Sequence, residues 1–251
     1  MDKNVNMVLD KLRSGNPTIG SWLQISSPDV AELLGNAGYD WIAVDMEHGS
    51  ISRSILKDVF RALELGNTLP MARIAQSNQQ NIKEALDAGA KGIILPMIEN
   101  KTQLERGISW SYYPPKGCRG VGYSRANLFG EKFEEYKNHF SSKVIIVAQI
   151  EHVNAIVNID EILSVSELDA IMIGPYDLSG SMGITGEFDH SEFVQALETV
   201  HKKANEYGVP MGYHVINPDK ELLKDKVNQG YQFIAYGTDA VFLSAASQNP
   251  F

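Results

Sequence analysis

The sequence predicts a closed (β/α)₈ barrel, also called a TIM barrel, and three observations point to this fold class. Short apolar segments alternate with helical patterns along the whole chain of 251 residues. Eight of these segments are nearly all apolar, as expected for parallel strands covered on both faces. About 250 residues is also the usual length of such a barrel. A doubly wound open sheet is the alternative, although the chain has neither a dinucleotide-binding glycine fingerprint nor a Walker loop.

The predicted elements repeat one βα unit along the chain. The predicted strands are Thr18–Ser26, Tyr39–Asp45, Leu69–Ile74, Lys91–Met97, Lys143–Ile150, Ala170–Gly174, Pro210–Val215 and Tyr231–Tyr236. Helical patterns between them include Asp29–Asn36, Ser54–Leu65, Asn78–Asp87, Ser191–Tyr207 and Pro218–Gln229. Glycine takes the left-handed conformation that ends a helix, and four helices end on one just before a strand, at Gly38, Gly89, Gly208 and Gly230. We therefore expect one barrel domain over residues 1–251.

Composition narrows the class of protein. The net charge is -9, from 31 acidic and 22 basic residues, and no basic stripe is present to neutralise phosphates, so nucleic acid is not an expected partner. Cys118 is the one cysteine, which excludes an internal disulfide framework and a cysteine zinc cluster. The first 16 residues lack the apolar stretch of a signal peptide, and no apolar run approaches the roughly 18 residues of a membrane span. We expect a cytoplasmic protein without a membrane partner.

Polar side chains cluster where three of the predicted strands end. Asp45, Glu47 and His48 follow the second strand, Glu151 follows the fifth, and Asp177 follows the sixth. Charge at the end of a buried strand is costly unless it is paired, bound to metal or used. Parallel barrels and sheets place their ligand sites at these carboxyl ends. The pattern therefore predicts an enzyme.

Glu151 and Asp177 together predict a metal site. They supply two carboxylates from neighbouring strands, which suits Mg²⁺ or Mn²⁺ with positions left for a substrate. A helix N-cap or a surface salt bridge would explain either residue alone.

Two further side chains are candidates for catalysis. His48 beside Asp45 can be an oriented base, and the alternative is a histidine that caps the following helix. Arg73, at the end of the third strand, can hold a carboxylate or an oxyanion. Its alternative is a structural ion pair with Asp45 or Glu47. Gln149 shares a strand face with Glu151.

Lysine positions favour metal polarisation of a carbonyl over an imine mechanism. An imine enzyme needs a buried lysine at its site. Lys91 and Lys143 lie at the beginnings of their strands, and only Lys116, in a long irregular segment, could reach the mouth. That segment, residues 111–130, follows the fourth strand and is expected at the carboxyl end as a lid or specificity element. His214 ends the seventh strand and can line the mouth or simply pack.

Motifs in order along nearly the whole chain resemble those of the HpcH/HpaI aldolases, which are class II, metal-dependent pyruvate aldolases. They are Gly20-Ser21-Trp22-Leu23, Asp45-Met46-Glu47-His48, Ala72-Arg73-Ile74, Leu86-Asp87-Ala88-Gly89-Ala90, Leu95-Pro96-Met97, Cys118-Arg119-Gly120-Val121-Gly122, Gln149-Ile150-Glu151 and Ile173-Gly174-Pro175-Tyr176-Asp177-Leu178-Ser179. The resembling group includes 4-hydroxy-2-oxoheptanedioate and 2-dehydro-3-deoxyglucarate aldolases.

The resemblance implies an activity and a set of site residues. It implies reversible cleavage of a 4-hydroxy-2-oxo acid to pyruvate and an aldehyde through a metal-stabilised pyruvate enolate. It assigns the metal (Mg²⁺ or Mn²⁺, with Co²⁺ or Zn²⁺ as alternatives) to Glu151 and Asp177. It assigns His48 and Asp45 as the acid/base pair, with Arg73 as the residue that stabilises the enolate. The substrate-binding residues are then Gln149, Arg73, Tyr176, Asp177, Gly174, Trp22 and Asp87.

The resemblance also implies a homo-hexamer, a dimer of trimers, with the last helix exchanged between subunits and Asp87 near a neighbour's site. Two features depart from the family pattern. Tyr176 replaces a small residue, which narrows the mouth, and Arg125 stands in the 111–130 loop, where it could bind an acidic or hydroxylated aldehyde tail or pair on the surface. The alternatives to an aldolase are an oxaloacetate decarboxylase or other keto-acid lyase with the same enolate site, and a non-catalytic barrel that binds keto acids.

Overall fold

Eight parallel strands close into a barrel in the computed structural model, which describes residues 3–140 and 143–249. Each strand pairs with the next, and the eighth pairs with the first. The strands are β1 (Thr18–Leu23), β2 (Trp41–Asp45), β3 (Leu69–Arg73), β4 (Gly92–Leu95), β5 (Ile145–Ile150), β6 (Ala170–Ile173), β7 (Met211–Val215) and β8 (Phe233–Thr238). The predicted (β/α)₈ barrel is confirmed, and the open sheet is excluded.

Helices surround the barrel and close its amino-terminal end. They are α1 (Lys3–Arg13), α2 (Pro28–Gly35), α3 (Arg53–Leu65), α4 (Gln79–Ala88), α5 (Lys101–Ser111), α6 (Phe133–Glu135), α7 (Val153–Val157), α8 (Ile159–Leu163), α9 (Pro175–Ser181), α10 (Ser191–Tyr207), α11 (Lys220–Asn228) and α12 (Asp239–Ala246). A kinked 3₁₀ segment (Arg125–Gly130) and a π-helical turn (Tyr136–Phe140) lie between α5 and β5. In the described part of the chain, no helix is long and apolar enough to cross a membrane.

The core has two layers because the strands are apolar on both faces. Inside the barrel, the Trp41 and Phe233 rings stack with their centroids 4.1 Å apart. The apolar face of α1, with Val8 and Leu12 fully or nearly buried, covers this interior from below. The second layer lies between the strands and the surrounding helices. The barrel is therefore filled and closed at its amino-terminal end, and a ligand can enter only from the other end.

The expected lid over the mouth is wrong. Helix α5 intervenes between β4 and residues 112–130, so this loop connects a helix to the following strand at the amino-terminal end of the barrel. The apolar pattern of α5 is weak, because its buried apolar side chains are Leu104 and Ile108 alone. A better signal is Asn100, whose side chain accepts a hydrogen bond from the Gln103 N–H and caps the helix (3.0 Å).

Within one chain the 112–130 loop lies against the outside of the barrel. The Arg119 guanidinium is buried, donates to Asp87 Oδ1 (2.6 Å) and to the Tyr136 hydroxyl (3.0 Å), and lies over the Tyr113 ring. Arg125 pairs with Glu64 and donates to the Ala88 carbonyl. The pairing alternative for Arg125 is thus the one observed in the single chain.

Candidate active site

A cavity of about 270 Å³ opens at the carboxyl ends of the strands. It is lined by residues that follow or end several strands, and most of the sequence-predicted site residues are among them. The lining residues used below are Trp22, Gln24, His48, Arg73, Gln149, Gly174, Tyr176, Asp177 and His214. The barrel therefore brings together side chains from six strand ends in one small, partly polar cavity.

Arg73, which lines this cavity, forms a buried bidentate ion pair with Asp45. The two residues are register partners in neighbouring strands β2 and β3. Arg73 Nε donates to Asp45 Oδ1 (3.0 Å) and Nη2 donates to Oδ2 (2.6 Å). Burial alone would raise the pKa of Asp45, but the hydrogen bonds and charge of Arg73 outweigh it and hold this pKa below its ordinary value. Asp45 is therefore ionised at neutral pH.

The Arg73 guanidinium is held in one orientation by several groups. Its Nη1 lies 3.2 Å from Glu47 Oε2, and its Cζ lies 5.4 Å from the centre of the Trp22 ring. Gln24, which the sequence interpretation missed, donates from Nε2 to Asp45 Oδ2 (2.9 Å). The guanidinium is thus fixed before any substrate binds, and preorganised donors of this kind stabilise developing negative charge well.

His48 enters the cavity, but Asp45 does not hydrogen-bond its ring. The backbone N–H groups of Glu47 and His48 both donate to Asp45 Oδ1 (3.1 Å each). Among the described residues the imidazole itself has no hydrogen-bond partner, and the residue is exposed. Asp45 therefore positions the turn that carries His48, and the predicted direct pairing of carboxylate and imidazole is not formed in the single chain.

Glu151 is the most perturbed acid of the cluster. It is 2% exposed, and its two oxygens accept the Met97 backbone N–H (2.7 Å) and Gln149 Nε2 (2.6 Å). Burial raises the pKa of Glu151 to about 7; the Met97 hydrogen bond opposes the rise, and the negative charges of Glu47 and Asp177 add to it.

Backbone conformation adapts to this carboxylate on both sides. Met97 has φ of 53°, which turns its N–H towards Glu151. A Cβ atom at position 174 would lie 2.5 Å from Glu151 Oε2, so only glycine fits there. Met97 and Gly174 thus give a structural reason for two of the sequence motifs, Leu95-Pro96-Met97 and Ile173-Gly174-Pro175, because each motif contributes one residue whose backbone accommodates Glu151.

The donor set suits a divalent cation. Gln149 Oε1 is buried and has no hydrogen-bond partner among the described residues, and Glu151 lies within the repulsive field of two other carboxylates. Residues 3–140 and 143–249 contain no group of three or more acidic, histidine or cysteine residues arranged around one metal position. A cation would therefore have at most two such side chains as ligands in the described part of the chain. That is typical of Mg²⁺, which keeps positions for water and substrate.

The first turn of α9 supplies Asp177 and the rim of the cavity. Pro175 is the first residue of this helix, where its missing N–H costs nothing, and Asp177 lies exposed in the first turn. The Tyr176 ring is half-exposed and meets Phe188 edge to face at 5.0 Å. Tyr176 therefore forms part of the cavity wall, as a large residue at this position was expected to do.

Asp87 lies apart from the other predicted site residues. Asp45 and Glu151 do not line the cavity themselves, but they contact Arg73 and Gln149, which do. Asp87 lies in the last turn of α4, on the outside of the barrel, where it pairs with Arg119. It borders a different cavity, whose lining includes Tyr123, Ser124 and Phe129. Its role near a neighbour's site stays a prediction.

Asp239 is a buried acid that the sequence interpretation did not single out. It is the first residue of α12 and accepts the backbone N–H groups of Gln24 (2.9 Å) and Ile25 (2.8 Å). The Gln24 side chain in turn contacts Asp45. Asp239 thus fixes the loop after β1 that carries one of the partners of Asp45. Its position directly after a strand, like that of Glu151, is the signal that could have identified it.

Known proteins share both the sequence and the fold. The family model of the HpcH/HpaI aldolase/citrate lyase family matches residues 18–246. A hydroxypyruvate/pyruvate aldolase of Pseudomonas aeruginosa is 34% identical over 245 residues, covering 97% of this chain and 90% of that protein. A 2-keto-3-deoxy-L-rhamnonate aldolase of Escherichia coli is 32% identical over 243 residues, covering 96% and 90%.

A solved structure agrees with these relatives. The crystal structure of a HpcH/HpaI aldolase/citrate lyase family protein from Burkholderia cenocepacia superposes with a TM-score of 0.90 at 28% identity and covers 96% of each chain. Sequence and barrel fold both agree with these proteins, and the chain belongs to the HpcH/HpaI aldolase/citrate lyase family.

Proposed function

We propose that this protein is a metal-dependent aldolase, a carbon–carbon lyase that reversibly cleaves a 4-hydroxy-2-oxo acid into pyruvate and an aldehyde. The observation that carries the proposal is the orientation of Arg73. Two carboxylates hold its guanidinium in the cavity that the proposed metal ligand Asp177 also lines. The family match and the two aldolase relatives support the same reaction class.

Glu151 and Asp177 would hold the metal, for which we propose Mg²⁺ or Mn²⁺, with Co²⁺ or Zn²⁺ as alternatives. When bound, such an ion polarises the keto group and stabilises negative charge on its oxygen. Gln149 Nε2 donates a hydrogen bond to Glu151 and so keeps that carboxylate in place. Gln149 Oε1, which has no partner among the described residues, is then available nearby.

Arg73 binds the keto-acid oxygens with the N–H groups that its two carboxylates leave free. A guanidinium has five N–H donors, and the three contacts to Asp45 and Glu47 do not use all of them. The backbone N–H groups of Tyr176 and Asp177, in the first turn of α9, lack partners within the helix and suit the substrate carboxylate. Gly174 and Trp22 shape the wall beside the bound acid.

His48 moves the proton. In cleavage it takes the proton of the C4 hydroxyl as the C3–C4 bond breaks, and a proton is then added at C3 of the enolate to give pyruvate. In condensation C3 loses a proton, and His48 gives one to the new hydroxyl. Its exposure at the cavity mouth leaves the ring accessible to the aldehyde end of the substrate. Asp45 acts by holding the turn of His48 and the guanidinium of Arg73 in one arrangement.

The direct test is the formation of pyruvate from a 4-hydroxy-2-oxo acid, followed by coupled reduction with lactate dehydrogenase. We expect turnover with Mg²⁺ or Mn²⁺ and none after chelation. Absence of turnover across a panel of aldehyde halves, with metal binding demonstrated, would contradict the proposal.

A second candidate is decarboxylation of oxaloacetate through the same enolate. The observation in its favour is the small cavity, of which Tyr176 forms one wall, because a four-carbon acid needs little space. Product analysis separates the two reactions, since the decarboxylase releases carbon dioxide and no aldehyde.

We further propose a single-domain subunit that assembles into a homo-hexamer, a dimer of trimers with the last helix exchanged between subunits. Exposed apolar side chains on the 112–130 loop and on α12 support an interface between copies: Val121, Tyr123, Leu128, Phe129 and Leu243. In such an assembly Asp87 and its loop would lie near a neighbour's cavity. Light scattering after gel filtration tests the subunit number.

A further inference from the structure

His214 lines the active-site cavity, and the proposed reaction assigns it no role. It lies on β7, two strands away from the metal ligand Glu151, and lines the same cavity as Arg73 and Asp177. Its ring centre lies 5.0 Å from that of Trp22, whose ring in turn lies beneath the Arg73 guanidinium. His214, Trp22 and Arg73 therefore form one continuous stretch of cavity wall.

The tautomer of His214 is fixed by the fold. Its Nε2 lies 3.1 Å from the Gly237 carbonyl oxygen. A carbonyl can only accept a hydrogen bond, so Nε2 must carry the proton. The carbonyl also accepts a hydrogen bond from Ser21 Oγ (3.3 Å), and Gly237 itself has φ of 67° with its Cβ position 2.2 Å from the Phe242 ring. No other residue fits this turn without moving that ring.

The remaining ring nitrogen, Nδ1, is consequently an acceptor. Burial lowers the pKa of His214 to about 4, although its hydrogen bond to Gly237 opposes the shift, so the ring is neutral at pH 7. The charges that face it are those of Arg73 and Asp45, and they oppose each other. Among the described residues Nδ1 has no hydrogen-bond partner. A lone pair in an active-site cavity without a protein donor is suited to a donor on the ligand.

We propose that His214 Nδ1 accepts a hydrogen bond from a hydroxyl group of the substrate, and that His214 thereby makes the enzyme prefer hydroxylated substrates over their deoxy analogues. The inference rests on the proposed aldolase function and specifies its substrate class. The hydroxyl can belong to the 2-oxo acid, as in hydroxypyruvate, or to the aldehyde, as in glycolaldehyde. Both share one chemistry, a hydroxyl that donates to a fixed, neutral imidazole.

The test compares kcat/KM for paired substrates. One arm uses hydroxypyruvate and pyruvate with a common aldehyde, and the other uses glycolaldehyde and acetaldehyde with pyruvate. The variants are His214→Leu, which removes the acceptor, and His214→Gln, which keeps one. A glutamine amide can donate to the Gly237 carbonyl and still present an oxygen. His201→Leu is the matched control, because His201 lies on α10 and contacts Tyr231 outside the barrel.

We expect His214→Leu to lower the ratio of hydroxylated to deoxy turnover about tenfold in one arm, which is the usual worth of one neutral hydrogen bond. The arm that responds identifies the molecule that carries the hydroxyl. We expect His214→Gln to recover most of the ratio and His201→Leu to keep it. An unchanged ratio in both arms for folded His214→Leu would overturn the inference while leaving the aldolase function intact. Failure of the wild-type protein to turn over any pair would instead contradict the proposed function.

A second measurement needs no variant. In ¹⁵N-histidine-labelled protein with Mg²⁺, the Nδ1 resonance of His214 should shift on addition of the hydroxylated substrate and not on addition of its deoxy analogue. Equal shifts with both ligands, or none with either, would overturn the inference even if His214→Leu failed to fold.

Discussion

Buried or partly buried carboxylates occur at both ends of this barrel, and they serve different purposes. At the amino-terminal end, Asp40 precedes β2 and accepts the Ile19 N–H (2.9 Å), and Asp169 precedes β6 and accepts the Ile146 N–H (2.9 Å). Each of these acids thus bonds to the backbone of the preceding neighbour strand. Lys11 of α1 completes the first site with a 2.6 Å contact to Asp40. Asp40 and Asp169 thus connect strands and helix, and neither lines the active-site cavity.

At the carboxyl end, the acids bond mainly to other functional side chains. Asp45 holds Arg73 and Gln24, and Glu151 holds Gln149, whose Oε1 has no partner in the described part of the chain. A raised pKa does not distinguish the two ends, because burial also raises the pKa of Asp169, to about 6. The distinguishing features are unused hydrogen-bonding capacity and a shared cavity.

The largest effect should come from removing the Glu151 charge. We expect Glu151→Gln to lower kcat/KM by at least about 10³-fold, because a neutral amide holds the metal poorly. Aldolase kinetics at saturating Mg²⁺ measure the loss. Asp169→Asn is the matched control from the other end of the barrel, and we expect it to retain activity. Comparable losses in both variants would remove the functional distinction between the two ends.

The next largest effect is expected in the pH dependence of the free energy of unfolding of the metal-free protein. The pKa of Glu151 rises from 4.5 to about 7 on folding, so the folded state binds this proton more tightly. The resulting stabilisation is complete below about pH 4.5 and is lost as the pH rises through about 7. It amounts to about 3 kcal/mol. Urea unfolding with EDTA at pH 5 and pH 8 measures the difference.

Glu151→Gln should remove this contribution, while other contributions remain, including that of Asp169, which has the same sign, and that of His214, whose lowered pKa gives the opposite sign. An unaltered pH dependence in the variant would show that Glu151 is not the group that titrates.

A structural effect of intermediate size is expected at the amino-terminal end. Asp40→Ala removes the pair with Lys11 and leaves the Ile19 N–H without its acceptor. We expect the free energy of unfolding to fall by about 2 kcal/mol, with kcat per folded molecule unchanged. A selective loss of kcat at full stability would contradict a purely structural role.

The smallest effect is expected for Asp239, which acts on the site through Gln24. We expect Asp239→Ala to reduce kcat/KM about tenfold, because the loop after β1 loses both of its anchoring hydrogen bonds. Asp219→Ala is the matched control, since Asp219 makes two similar backbone contacts at the start of α11, away from the cavity. Equal kinetics in the two variants would limit Asp239 to helix capping.

Much of the fold could be predicted because its signals are local and repeated. Apolar strands mark the βα units, and four of the predicted helices are followed by a glycine with positive φ, such as Gly208. The position of the site also followed, since Glu151 comes directly after β5 and Asp177 lies four residues after the end of β6. The partner of Asp45 could not be deduced with certainty, because the choice between His48 and Arg73 depends on the register of β2 against β3.

Contacts between distant segments could not be predicted either. Glu151 bonds to the backbone of Met97, which lies 54 positions away, and Asp239 bonds to Gln24 across 215 positions. Because the apolar pattern of α5 is weak, the sequence did not predict this helix. The 112–130 loop was therefore expected at the carboxyl end of the barrel, whereas it lies at the amino-terminal end.

The most direct test of the proposed chemistry is proton exchange of the pyruvate methyl group in D₂O, followed by NMR with Mg²⁺ and then with EDTA. The test needs no knowledge of the aldehyde, because it reports enolate formation alone. We predict exchange that requires the metal and that is lost in Glu151→Gln. Absence of exchange in wild-type protein with Mg²⁺ demonstrably bound would contradict the assignment of this cavity as a pyruvate-enolate site.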